Sequence, residues 1–236
     1  MSDRVGTTIG GYRIEALAGE GALGRVYRAA GAGGRQLVAL RLLPEGLGRS
    51  EALRAQLDAL APRLGRLRHP GLAATFAAGA DGGACYVAGE WLPDGSLDDL
   101  LAERASGAVS LSFADLVDLA RQSADALDYA HAAGVVHGAL TPKNIMLTPR
   151  VIDGAPRGYR ARLVDYGLLP LLEAAEIDPL PLSPATLSYA LAPERCQGLP
   201  PDPRSDIYAL GCILYALAAG RPPFAAASLD GAVLAH

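Results

Sequence analysis

The chain has 236 residues, half of them hydrophobic, and a formal net charge of −4. That length suits one large domain or two small lobes with a sizeable core, and the acidic balance argues against nucleic acid or an anionic membrane surface as partner. Basic charge is carried almost wholly by arginine, with Lys143 the only lysine. The three cysteines, Cys85, Cys196 and Cys212, fit neither a disulfide framework nor metal-ligand spacing, and read as buried thiols in a reducing cytoplasm. Residues 1–9 lack the apolar run of a signal peptide. The most apolar stretch, 207–219, is too short to span a bilayer, so any membrane anchor is expected beyond His236.

Residues 12–17 and 25–30 read as short strands around a glycine-rich turn, and 36–43 as a third, with β-branched Val38. Ser50 is placed to cap a helix with Glu51 in its first turn. Leu53, Leu57, Leu60, Leu64 and Leu67 form one apolar face of it. Pro62 is expected to kink or end this helix midway, because it lacks an N–H and clashes with the preceding turn. Residues 85–90 read as a strand and Pro93-Asp94-Gly95 as a turn. Ser112 caps a long helix reaching about residue 133, ended by Gly134, with Leu116, Leu119, Ala120, Ser123, Leu127 and Ala130 on its inner face. Residues 144–147 and 160–164 are expected to pair as a hairpin with a long polar loop. Residues 168–191, with four prolines and no clear period, are expected to form a loop. Residues 206–219 read as a buried helix closed by Gly220. Strands come first and helices later, which suits an α+β, bilobal fold: a small β-rich lobe over residues 1–92 and a mainly helical lobe over 93–236.

Several short motifs lie on this frame. Gly19-Glu20-Gly21-Ala22-Leu23-Gly24-Arg25-Val26-Tyr27 sits between two strands, where glycines let the backbone approach phosphates that any Cβ would block. Val38-Ala39-Leu40-Arg41 and Glu90-Trp91-Leu92 follow. Then come His137-Gly138-Ala139-Leu140-Thr141-Pro142-Lys143-Asn144, Asp165-Tyr166-Gly167 and Ala192-Pro193-Glu194. The last are Asp202-Pro203-Arg204-Ser205-Asp206-Ile207-Tyr208-Ala209-Leu210-Gly211 and Gly220-Arg221-Pro222-Pro223-Phe224. In this order, and over essentially the whole chain, the series resembles the protein kinases, in particular bacterial serine/threonine kinases.

The resemblance implies roles residue by residue. Gly19, Gly21 and Gly24 would cradle ATP phosphates, with Val26 and Ala39 above the adenine and Met146 below it. Glu90 and Leu92 would meet the adenine through their backbone, with Gly89 at a position usually filled by a larger side chain. Asn144 and Asp165 would hold Mg²⁺, a hard cation suited to oxygen ligands. His137 and Tyr166 would stack in a structural column, and Asp206 would cap backbone N–H groups at 137–139.

The departures are as informative. The kinase pattern H-R-D-L-K-P-x-N has Gly138 for its Arg, Ala139 for the Asp that accepts the substrate hydroxyl's proton, and Thr141 for its Lys. Arg41 stands where V-A-I-K carries the phosphate-binding Lys, and the two are not interchangeable. The carboxylate that would orient that Lys falls at Leu60. Asp58 is the nearest acid, either paired with Arg41 or solvated. With Gly138 in place of Arg, phosphorylation of Thr186 or Ser188 in the motif Thr186-Leu187-Ser188-Tyr189 is not expected to switch residues 168–191. The family's last helices, which supply an Arg for Glu194, are expected to be missing. The implied function is a pseudokinase, a regulatory or scaffolding module with a protein partner, no certain cofactor, and degenerate capacity for ATP with Mg²⁺. The alternatives are a divergent serine/threonine kinase with residual MgATP binding and slow transfer, and a nucleotide-free remnant presenting a peptide groove.

Overall fold

One buried face organises the first part of the chain. On strand β3 (Gly24–Ala30), Tyr27 and Ala29 are buried; on β4 (Leu37–Leu42), Val38, Leu40 and Leu42 are; on β6 (Ala84–Glu90), Ala88 is. These share a face with Ile9 of β1 (Thr8–Ile9) and Ile14 of β2 (Tyr12–Gly21) and form one apolar cluster. Side chains one residue along point to the other face of a strand, so Val26, Ala39, Arg41, Val87 and Gly89 lie together on the opposite, half-buried face. With β5 (Thr75–Asp81) at one edge, the six strands make an antiparallel sheet in the order β1-β2-β3-β4-β6-β5.

Helix α1 (Glu51–Leu64) starts at Ser50, whose hydroxyl accepts from the Leu53 N–H at 3.1 Å. Leu53, Leu57 and Leu64 are buried, each contributing about 1.5–3 kcal/mol, whereas Leu60 is only half-buried. Pro62 does not break the helix midway. It sits in the last turn, where only one intrahelical bond is forfeited, and the helix runs on to Leu64 before Gly65 closes it onto the Ala61 carbonyl at 2.9 Å.

The computed structural model describes all residues except 1–3, 22, 32, 35, 46, 108, 110, 153–154, 176–189 and 225–236. The motif at Thr186 and Ser188 therefore lies outside the described residues. The chain divides into two compact units. Described residues up to 68, 73–92 and 171–175 make the first; 69–72, 93–170 and 190–224 make the second.

In the second unit, α2 (Leu97–Ala105) follows a Gly95 turn and has a complete capping box between Ser96 and Asp99. Helix α3 (Phe113–Ala132) carries the same device at Ser112 and Asp115 and buries Leu119, Ser123, Ala126, Leu127 and Ala130. Its Gln122 ties it to the neighbouring hairpin, donating to the Tyr159 carbonyl at 2.9 Å and accepting from the Ala161 N–H at 3.0 Å. That hairpin corrects the expectation of a long polar loop. Strands β7 (Ile145–Ile152) and β8 (Ala155–Leu163) extend through the proline-containing stretch, since in a two-stranded sheet both strands are edges and Pro149 forfeits little.

The loop expected over 168–191 is corrected at its start, and its residues 176–189 lie outside the described residues. Leu168–Ala174 form helix α4, with Pro170 in its first turn, where an N–H has no intrahelical partner anyway; Leu168, Leu169, Leu171 and Leu172 are buried. After α5 (Pro193–Cys196) comes α6 (Pro203–Ala219), capped by Asp202 at one end and by left-handed Gly220 at the other. Ala209, Leu210, Ile213, Ala216 and Leu217 bury its inner side. Cys85 and Cys212 are buried thiols raised above the ordinary cysteine value by burial, while Cys196 is only half-buried; all three are free. No helix among the described residues is long and apolar enough to cross a membrane.

Candidate functional site

In the first unit the glycine-rich segment is the β2–β3 hairpin itself, with Gly21 opposite Gly24 and Gly19 opposite Val26. Its three glycines are not equivalent. Gly24 has φ +99°, and a Cβ there would stand 2.0 Å from the Leu42 carbonyl oxygen; the fold requires glycine. At Gly19 and Gly21 an added Cβ meets nothing within 4 Å. Glycine at these two positions is not explained by packing.

Val26, Ala39 and Arg41 share the sheet face opposite the core, and Gly89 is directly across from Ala39. A Cβ on Gly89 would come within 3.0 Å of the Ala74 carbonyl oxygen, so backbone occupies the room a larger side chain would need. The Ala74 carbonyl also accepts from the Glu90 N–H at 2.8 Å, and the Glu90 carboxylate accepts from the Ala74 N–H at 3.3 Å. These bonds fix the end of β6 ahead of Leu92. Asp58 is exposed on α1.

The second unit assembles a different group. The short 3-10 turn Pro142–Asn144 presents Asn144, whose Oδ1 accepts from the Thr141 hydroxyl at 2.7 Å and whose Nδ2 donates to Asp165 Oδ2 at 3.3 Å. Asp165 has φ 62°, a left-handed conformation rare for a residue with a side chain. Thr141 is 7 % exposed and spends its hydroxyl on Asn144. Met146, on β7, is half-buried and bridges to Ser96. Among the described residues no group of three or more His, Cys, Asp or Glu is arranged to hold a metal ion. The oxygens available here are one amide and one carboxylate.

The loop before Asn144 is pinned from below. Asp206 is 2 % exposed; its Oδ2 accepts from the His137 N–H and its Oδ1 from the Gly138 N–H, each at 2.8 Å, and His131 Nε2 lies 2.8 Å from Oδ2. The expected cap on Ala139 is corrected: its N–H points instead at His137 Nδ1, 3.4 Å away, because the chain turns at Gly138. Burial holds the His137 imidazole below the ordinary histidine value against the opposing pull of Asp206 and Asp165, so it is neutral. Tyr166 is also buried.

The chain matches the family model described as "Protein kinase domain" over residues 12–234. It belongs to the protein kinase family. Serine/threonine-protein kinase PknJ of Mycobacterium tuberculosis is 34% identical, over 94% of this chain and 36% of the relative. Serine/threonine-protein kinase pkn3 of Myxococcus xanthus is 34% identical, over 98% and 42%. PknA of M. tuberculosis is 31% identical, over 99% and 52%. The chain thus spans between about a third and a half of the length of these curated relatives. Among solved structures, the PknI kinase domain of M. tuberculosis is similar with a TM-score of 0.72 and 26% identity, over 95% of this chain and 78% of that one. The two units are accordingly the sheet-rich and helical parts of a protein kinase fold.

Against the kinase pattern, Gly138 is more than a missing arginine. Its φ is +78°, and a Cβ there would lie 2.7 Å from Pro170 Cδ and 3.2 Å from Pro201 Cγ. Two proline rings fill the space from which an arginine would start. Gly138→Arg is therefore expected to cost about 2–3 kcal/mol in urea unfolding; an unchanged midpoint would mean that the loop relaxes freely. Glu194 also has a partner not foreseen from the sequence. The Ser205 hydroxyl donates to its carboxylate. No local sequence signal points to Pro170, whereas Ser205 is legible as the third residue of the capping box begun by Asp202.

Proposed function

We propose that this protein kinase domain is a pseudokinase, a regulatory or scaffolding module that binds a protein partner and does not transfer phosphate. The observation that carries the reading is Ala139. A turn held by Asp206 on two backbone N–H groups presents a methyl where the family's proton acceptor stands. Phosphoryl transfer depends on positioning and electrostatics, and absence of the base alone costs about 10²–10⁴ in rate. Thr141, bonded to Asn144, offers no cation to a transferred group, and Arg41 brings a planar fork in place of a compact ammonium.

The residues fit a metal-nucleotide in part. Asn144 and Asp165 already share a hydrogen bond and would hold Mg²⁺; Gly19 and Gly21 leave open space; Val26 and Ala39 share a face with Arg41. When bound, Mg²⁺ would neutralise phosphate charge. If ATP binds, Asp165→Asn is expected to abolish the Mg²⁺-dependent part of its thermal shift. ATP binding indifferent to Mg²⁺, to Asp165→Asn and to Gly21→Val would contradict this assignment.

One observation favours a second reading. The curated relatives are named serine/threonine-protein kinases, which supports a divergent kinase with slow transfer. Ala139→Asp separates the two. If Thr141 and Arg41 also matter, restoring the carboxylate yields no detectable transfer to a generic protein substrate. A gain of about 10² or more over a measurable wild-type rate would favour the second reading, whereas transfer that appears only in the variant would keep the first and show that only the base is lacking.

A further inference from the structure

We infer that the first unit carries a separate anion site for a phosphoryl group, at the end of the sheet's core face. A cavity of about 400 Å³ opens there, within the usual size range for small-ligand pockets. Arg4, Arg25 and Arg49 line it, with Glu45, Gly82 and Gly83. The three arginines come from three separate segments: the chain ahead of β1, the start of β3, and the 3-10 turn Leu47–Arg49.

The fold holds them there by glycine contacts. Gly48 is buried so closely on the β5–β6 turn that a Cβ would stand 2.1 Å from the Gly83 carbonyl oxygen. That contact fixes the turn bearing Arg49. Arg25 alternates with Val26, so it belongs to the core face with Tyr27, whereas Val26, Ala39 and Arg41 face the other way. The cavity shares Gly24 with the glycine-rich hairpin but opens on the face opposite Val26, Ala39 and Arg41, away from Gly19 and Gly21.

Its electrostatics favour an anion. Three guanidinium groups and one carboxylate line it, in a chain of net charge −4. Arg4 lies 3.5 Å from Glu45, and Arg25 lies 3.1 Å from Glu20; the two carboxylate side chains are 48% and 54% exposed. The Arg4–Glu45 pair, open to solvent on both sides, is worth little and yields to a stronger ligand, whereas Arg25 is only 17% exposed and keeps Glu20 beside it. Arg49 is exposed and has no partner among the described residues. Planar guanidinium forks match the oxygens of a phosphoryl group two at a time. The cavity has room for such a group together with part of its carrier, so a phosphate monoester fits better than the bare ion.

The test is an amide-resolved NMR titration of the whole chain with O-phosphoserine, with inorganic phosphate, and with serine as control. Saturable shifts at Gly82 and Gly83 are expected with both phosphoryl probes and not with serine. Tighter binding of O-phosphoserine identifies a monoester as the natural occupant, and equal binding identifies free phosphate. Arg49→Gln and Arg4→Gln, both near the surface, are each expected to weaken binding about tenfold. No saturable shift at millimolar probe, shifts centred on Gly19 and Gly21 instead, or affinities unchanged in both variants would overturn the proposal.

Discussion

Asp206→Ala is expected to lower stability by about 3–5 kcal/mol in urea unfolding. The carboxylate is 2 % exposed and accepts from the His137 and Gly138 N–H groups, with His131 Nε2 beside Oδ2. Removing it leaves two backbone donors without an acceptor at a buried position, each costing about 1–3 kcal/mol. The loop bearing Ala139 then loses its anchor to α6. Asp206→Asn keeps one acceptor oxygen but turns an amide NH₂ toward a donor, so about half the loss is expected. A cost below about 1 kcal/mol for the alanine variant would mean that water replaces the carboxylate and that the loop is not held as described.

Gly24→Ala is expected to cost about 3 kcal/mol or more, while Gly21→Ala stays within about 0.5 kcal/mol of wild type. The contrast follows from geometry. At Gly24 the new Cβ meets the Leu42 carbonyl oxygen at 2.0 Å and the backbone must take φ +99°; at Gly21 there is open space and no positive φ. The obstacle at Gly24 is backbone, which cannot swing aside as a side chain would. Equal costs at the two positions, measured by thermal or chemical denaturation, would remove the distinction between a glycine the fold needs and glycines kept for close approach of a ligand.

Much of this was legible from residues alone, and what was missed has physical causes. The caps at Ser50, Ser112 and Gly220 were readable because a capping side chain or a left-handed glycine leaves a local mark. Strands β3 and β4 were readable as short apolar runs that follow a glycine-rich turn. Helix α2 was overlooked although Ser96 and Asp99 form a capping box, because its span of nine residues gives periodicity little to work on. The β7–β8 extension and α4 were misread for one shared reason. Proline was weighed as a breaker everywhere, yet at a sheet edge or in a first helical turn it forfeits no bond. Pro62 differs: in the last turn of α1 it forfeits one bond, and the helix tolerates the loss.

For the site, the substitutions at Ala139, Thr141 and Arg41 are visible in the sequence, and so is the cap by Asp206. How they are accommodated is not. The packing of Pro170 against Gly138 joins residues far apart in the chain, and the bond from Thr141 to Asn144 depends on a rotamer. These contacts carry the argument further than the bare substitutions do. They show a loop and a 3-10 turn adapted to the residues now present.

With Ala139 in its catalytic loop, this protein kinase domain is expected not to transfer phosphate. Intact-mass measurement of the purified chain after incubation with ATP and Mg²⁺ tests it most directly. The expected result is an unchanged mass, with generic protein substrates equally unmodified. Stoichiometric, Mg²⁺-dependent phosphate incorporation that disappears in Asp165→Asn would contradict it and establish the chain as an active, divergent kinase.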